Sequence, residues 1–138
     1  MGSEMCIRDS DKPVEWHVYV EKTSDDSFRM NFDADISEGW MIYSAHSPVG
    51  GPIPTSVMLS TSTNDEYMSE LSEPISPLVE YEPLFDQEVW KFKEKAKFLT
   101  TISSLEKNTV VKGTITYMAC NGRQCLPPTD VPFITVLK

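Results

Sequence analysis

Phe28-Arg29-Met30-Asn31-Phe32-Asp33-Ala34-Asp35-Ile36 alternates apolar and polar residues without a break. Successive side chains of a strand point to opposite faces. Phe28, Met30, Phe32, Ala34 and Ile36 therefore share one face, and the polar residues share the other. A half-buried strand of an antiparallel sheet carries this signature. The same period recurs on either side. Val14, Trp16, Val18 and Val20 share a face upstream. Downstream, Trp40 to Tyr43 is a short apolar strand after the turn Ser37-Glu38-Gly39, and Ser56 to Ser60 is a weak one. Val89 to Phe92 and Ala96 to Ile102 alternate again. So do Val111, Gly113, Ile115, Tyr117 and Ala119, and finally Val131, Phe133, Thr135 and Leu137. No segment has a capped helical stripe; Glu66 to Leu71 offers one or two turns at most. Seven or eight short strands separated by Pro and Gly breaks predict an all-β chain, an immunoglobulin-like antiparallel β-sandwich.

The 138 residues suit one domain. Hydrophobic residues at 40% and charged residues at 24% are ordinary for a globular protein. No apolar run approaches the ~18 residues of a membrane helix. Twelve Lys and Arg against 21 Asp and Glu give a net charge of −9, which argues against nucleic acid or an anionic membrane as partner. Three cysteines are too few for a disulfide scaffold or a four-cysteine zinc site. His17 and His46 are far from the cysteines in sequence, so neither a metal nor another cofactor is expected. Met1 to Ser10 shows no periodicity and reads as a vector- or adapter-derived leader, and Cys6 goes with it. Residues 11–138 then form the single domain.

Ser44 to Pro54 and Thr61 to Glu88 read as proline-punctuated connectors. From Met30 through Trp90 there are eleven Asp or Glu and no Lys or Arg. Lys91, Lys93, Lys95 and Lys97 follow at a spacing of two, which would place them on one strand face. Such a face is a solvated edge that blocks aggregation, or else a charged docking surface.

The chemistry lies in Gly113-Thr-Ile-Thr-Tyr-Met-Ala-Cys120-Asn-Gly-Arg-Gln-Cys125-Leu-Pro-Pro-Thr129. Asn-Gly is a strong tight-turn signal. With Gly122 and Arg123 at the tip, Cys120 and Cys125 face each other across a hairpin. Cross-strand Cα separations of ~4.5–5.5 Å allow a disulfide. A loop so short restricts the unfolded chain little, so the bond would be a poor staple. Arg123 between the thiols would favour a thiolate, which suits a bond that is made and broken. A plain local disulfide in a secreted domain remains an equal reading of the spacing.

Tyr117-Met-Ala-Cys120 and Cys125-Leu-Pro-Pro-Thr129 resemble the active-site segment of the amino-terminal periplasmic domain of the DsbD thiol:disulfide interchange proteins. Glu38-Gly-Trp-Met-Ile-Tyr43 resembles that family's Asp-Gly-aromatic-x-Leu-Tyr strand, and Pro83-Leu-Phe-Asp-Gln-Glu-Val-Trp90 resembles its cap-loop segment. The resemblance spans roughly residues 14–138. Four residues between the cysteines, rather than the five of the enteric type, resemble the form of Bacteroidetes-like relatives.

The resemblance implies a thiol-disulfide oxidoreductase, a protein-disulfide reductase domain in the periplasm. Its parent protein would be anchored by a membrane-embedded domain. It would take electrons from a thioredoxin-like domain and hand them to oxidised periplasmic disulfide proteins, including those of cytochrome c biogenesis. It implies that Cys125 bonds to partners and Cys120 resolves the mixed disulfide. Tyr43, Glu80 and Glu82 would be active-site neighbours, as would Arg123. A cap over the disulfide would come from Tyr81, Leu84 or Phe85, with Phe85 the bulkiest apolar choice. The contrasting possibility is a non-catalytic secreted β-sandwich binding module with a structural local disulfide.

Overall fold

The structure is a computed structural model that describes residues 12–61, 65–103 and 108–137, with the backbone of Glu4–Ile7. Among these residues there are eleven strands and no helix. They are β1 (Glu4–Ile7), β2 (Val14–Ser24), β3 (Ser27–Ile36), β4 (Ile42–Tyr43), β5 (Ser56–Thr61) and β6 (Tyr67–Met68), then β7 (Leu78–Glu82), β8 (Gln87–Phe92), β9 (Lys95–Ser103), β10 (Thr109–Tyr117) and β11 (Thr129–Leu137). One sheet has the order β1-β2-β3-β9 and a second the order β11-β10-β5-β6, while β4-β8-β7 forms a smaller third sheet. Every pairing is antiparallel.

The alternating positions make the core. Phe28, Met30, Phe32, Ala34 and Ile36 are all buried, as are Val14, Trp16, Val18 and Val20 on the neighbouring strand. From the second sheet, Val111, Ile115, Tyr117, Phe133 and Leu137 point back at them. Trp16 meets Tyr117 at 5.6 Å between ring centroids, and Phe32 meets Phe133 at 5.5 Å, so aromatic pairs cross from one layer to the other. This is the immunoglobulin-like antiparallel β-sandwich that the periodicity predicts. Asn31 departs from the pattern. It is buried on the polar face, where its amide donates to Glu21 at 2.9 Å.

Three readings of the sequence need correction. The first concerns the four lysines, which do not share a strand face. A turn with Glu94 at φ +67° separates β8 from β9. Lys95 and Lys97 lie on the outer face of β9, each 3.1 Å from its partner carboxylate, Asp35 and Asp33 respectively. Lys91 is buried on β8 instead. The second concerns Glu66 to Leu71, which forms no helical turn. Tyr67–Met68 pairs with β5, Leu71 enters the core, and Ser72 exchanges backbone hydrogen bonds with Leu99 at 2.8 and 2.9 Å. The third concerns the connector Thr61 to Glu88, which contains β7. That strand is mostly exposed on both faces, so no alternation announces it.

Glu4–Ile7, within the segment read as a leader, pairs with β2 in the register Glu4↔Tyr19 to Ile7↔Trp16. Backbone bonding to an open sheet edge needs no particular side-chain pattern.

Gly113 faces Leu59 on one neighbouring strand and Phe133 on the other. A Cβ there would lie 2.3 Å from Phe133 Cζ and 2.9 Å from Leu59 Cδ2. The two large side chains close over the backbone only because the glycine leaves room. Gly113→Ala is expected to cost about 1–3 kcal/mol of stability by overpacking. Urea unfolding measures it, and a cost near zero would mean that Phe133 moves aside freely.

Candidate functional site

β10 ends at Tyr117, but burial continues through Met118, Ala119 and Cys120. The chain then reverses in a turn held by its own polar groups. Asn121 Oδ1 accepts the Arg123 and Gln124 N–H groups, both at 3.0 Å. The Asn121 N–H donates to Gln124 O at 3.0 Å, and the Leu126 N–H to Ala119 O at 2.9 Å. Gly122 sits at φ +87°, where a side chain would be strained. Cys120 and Cys125 stand opposite one another and are joined by a disulfide, with Cα atoms 4.0 Å apart. That is closer than a regular ladder, because the pair is an isolated bridge in a tight turn. Cys120 is buried and Cys125 half-buried.

The disulfide does not hang free of the third sheet. The Met41 N–H donates to Cys120 O at 2.9 Å, and the Cys120 N–H to Met41 O at 3.0 Å. This bridge gathers Met41, Tyr43, Val89, Met118 and Cys120 into a small buried cluster apart from the main core. Phe85 and Cys125 pack against it. Phe85 lies edge-on to Tyr43, 6.3 Å between centroids and 79° between planes. Tyr81 and Leu84 are exposed and outside the cluster. The Tyr81 hydroxyl donates to Asp86 instead. Arg123 is exposed at the turn tip.

Tyr43 pairs in register with Lys91, and Leu78 pairs with Lys91 from the other side. The buried Lys91 ammonium is 3.6 Å from Glu80 Oε1 and 3.9 Å from Glu82 Oε2. Glu82 also organises the β7–β8 turn. Its Oε1 accepts the Leu84 N–H at 3.4 Å, and its backbone carbonyl accepts the Phe85 N–H at 3.0 Å. Burial pushes the Tyr43 phenol up to about 12, and the Glu82 charge adds to the effect.

The structure thus brings Tyr43, Phe85 and the two cysteines together, with Glu82 behind them. It leaves Tyr81 and Leu84 on the surface. Met41, Val89, Met118 and Lys91 were missed from the sequence. Lys91 follows Val89 at a spacing of two, so the alternation of β8 already placed it on the buried face. Its charge hid that.

Of the histidines, His46 donates from Nε2 to Leu71 O at 2.8 Å. His17 lies 3.0 Å from Glu15 and 3.3 Å from Asp35 on the outer face of the first sheet. Among the described residues, only Glu15, His17 and Asp35 cluster tightly enough for a metal ion, and Asp35 already pairs with Lys95.

No family model matches the sequence, and no curated protein matches it. Solved structures do. The chain is similar to the N-terminal periplasmic domain of ScsB from Proteus mirabilis, with TM-score 0.72 and 16% identity over 94% of this chain and 49% of that one. It therefore spans about half the length of that structure. It is similar to the Neisseria meningitidis DsbD N-terminal domain in the reduced form, with TM-score 0.57 and 18% identity over 93% of this chain and 88% of that one. The GAE domain of GGA2p from Saccharomyces cerevisiae matches at TM-score 0.51 and 9% identity, over 99% of this chain and 98% of that one. At these identities the likeness is one of fold, and the fold is that of a DsbD-type N-terminal domain. A shared fold does not by itself assign an activity. No helix among the described residues is long and apolar enough to cross a membrane.

The raised phenol has a pH signature. Its folded pKa of about 12 exceeds the ordinary value of 10.0, so its contribution is complete below pH 10 and is lost as pH rises toward 12. Tyr43→Phe should flatten the alkaline limb of the stability–pH curve across that window. Urea unfolding from pH 9 upward tests it. A limb unchanged by the substitution would show that Tyr43 ionises without penalty.

Proposed function

We propose that residues 11–138 form a thiol:disulfide interchange domain of the periplasm. In this reading it passes electrons through the Cys120–Cys125 pair between thioredoxin-like domains and oxidised periplasmic proteins. The observation that carries the reading is the disulfide itself. It closes a span of only five residues, so it contributes little as a staple, yet Cys120 is buried in one cluster with Tyr43, and Cys125 and Phe85 both pack against that cluster. Burial of that kind suits a bond kept for selected thiols.

The chemistry balances as two successive exchanges. A partner thiolate attacks Cys125 Sγ, the more accessible sulfur, and the Cys120–Cys125 bond breaks. Cys120 leaves as a thiolate and takes up a proton. The partner's second thiolate then attacks the mixed disulfide and releases Cys125. The partner ends as a disulfide and the domain as a dithiol, two electrons richer. Delivery to an oxidised protein runs the same steps in reverse: Cys125 attacks and Cys120 resolves. Phe85 serves as the cap that keeps small thiols away, and Tyr43 as its seat. Glu80 and Glu82 on β7 pair with Lys91 on β8 and so tie together the hairpin that carries Phe85, and Arg123 favours the Cys125 thiolate.

On oxidation with diamide, Cys120→Ala should trap a mixed disulfide with a thioredoxin-like protein that keeps only its attacking cysteine, whereas Cys125→Ala should trap none. Non-reducing gels read both, and the opposite pattern would reverse the roles. A reduction potential above about −300 mV belongs to an exchange pair, and a much lower one to a structural bond in a binding module.

Phe85→Ala should speed reduction by dithiothreitol or glutathione several-fold in stopped flow. Its cost in stability should be no more than about 1 kcal/mol, because the ring is only half-buried. Equal rates would remove Phe85 from the capping role, and the same assay on Tyr81 and Leu84 would then find the cap or exclude one.

A further inference from the structure

The surface beside the disulfide combines exposed apolar groups with an excess of negative charge. Of the eleven acidic residues between Met30 and Trp90, Asp33 and Asp35 are paired with Lys97 and Lys95 on the far sheet. Glu80, Glu82, Asp86 and Glu88 lie on the β7–β8 hairpin that carries Phe85. One buried ammonium, that of Lys91, pairs with two of these carboxylates, Glu80 and Glu82, while Asp86 accepts the Tyr81 hydroxyl. On the other flank of the disulfide turn, a cleft lined by Glu38, Trp40, Met41, Lys93, Glu94 and Asn121 adds two carboxylates and one ammonium. Arg123 at the turn tip adds a further cation. The balance around the sulfurs is negative.

Within this border the hairpin exposes Val79, Tyr81 and Leu84, between 48 and 59% accessible. The loop carrying the fully exposed Val49 abuts the same hairpin, where a Cβ on Gly51 would lie 2.6 Å from Gln87 Nε2. Apolar patches bordered by charge are the anatomy of a protein interface. A second copy of this chain would bring acid against acid, which is costly.

We infer that this face docks a thiol or disulfide protein whose reactive cysteine is ringed by Lys and Arg. The inference rests on the exchange function proposed above and adds the charge of the partner. The acidic border steers a cationic partner toward the disulfide and sets its orientation, and the apolar groups of the hairpin take the contact. Docking on the hairpin then bears directly on Phe85.

The test uses three cysteine peptides of equal length, flanked by Lys, Gln or Glu. Each reduces the oxidised domain, and each rate is taken per thiolate and divided by that peptide's rate with hydroxyethyl disulfide. The Lys peptide should outpace the Glu peptide by about tenfold or more at ~20 mM salt, and the ratio should fall toward one at ~500 mM. Asp86→Asn combined with Glu88→Gln should shrink the low-salt ratio while leaving reduction by dithiothreitol unchanged. A Glu peptide as fast as the Lys peptide would overturn the inference, as would a ratio insensitive to salt or to the double substitution. If dithiothreitol itself fails to reduce the bond, the exchange function falls and the inference with it. Normal reduction by dithiothreitol with no charge preference removes the inference alone.

Discussion

Two backbone hydrogen bonds between Met41 and Cys120, at 2.9 and 3.0 Å, position everything near the disulfide. They make the strand that delivers Cys120 continuous with the small β4-β8-β7 sheet. Buried backbone groups have no water to turn to, so a bond of this kind holds its place. From that junction the register does the rest. Tyr43 lies two residues along β4, Lys91 stands opposite it on β8, and the β7–β8 hairpin returns with Phe85 at its turn. The large sandwich serves as the foundation. Its cross-layer pair of Trp16 and Tyr117 anchors the end of β10, just before the cysteine turn begins.

The electrostatics of this corner follow from burial more than from formal charge. Lys91 would be an unremarkable surface lysine if β8 were an edge strand. With β7 beside it and β4 on its other side, its ammonium is withdrawn from water and answered by Glu80 and Glu82. Glu82 in turn orders the turn that carries Phe85, and its charge adds to the burial that keeps the Tyr43 phenol neutral. One carboxylate thus links the charge state of the hairpin to its shape.

The sandwich was legible in the sequence wherever one face of a strand is wet and the other dry. β2, β3, β10 and β11 show that alternation plainly, and their apolar positions are the core. Legibility failed where the physical signal is absent. β7 is mostly exposed on both faces, and β6 has two residues. The spacing of the lysines was misread because a turn interrupts their alternation at Glu94. The Asn-Gly turn and the facing cysteines were visible as local chemistry. The companions of the disulfide were not, because Met41, Val89 and Met118 arrive from strands far apart in the chain. Only the register of the third sheet brings them together.

The turn between the cysteines does not depend on the sulfur bond for its shape. Asn121 accepts two of its N–H groups and donates across it, Gly122 supplies the left-handed step, and Leu126 returns to Ala119. Breaking the sulfur–sulfur link removes none of these. These contacts would hold a reduced pair of thiols face to face, already placed to close again. The closed loop is so short that little folding energy is at stake in the sulfur bond. In the exchange function proposed above, such a corner would serve as a rigid two-electron store, filled and emptied without remaking the protein around it.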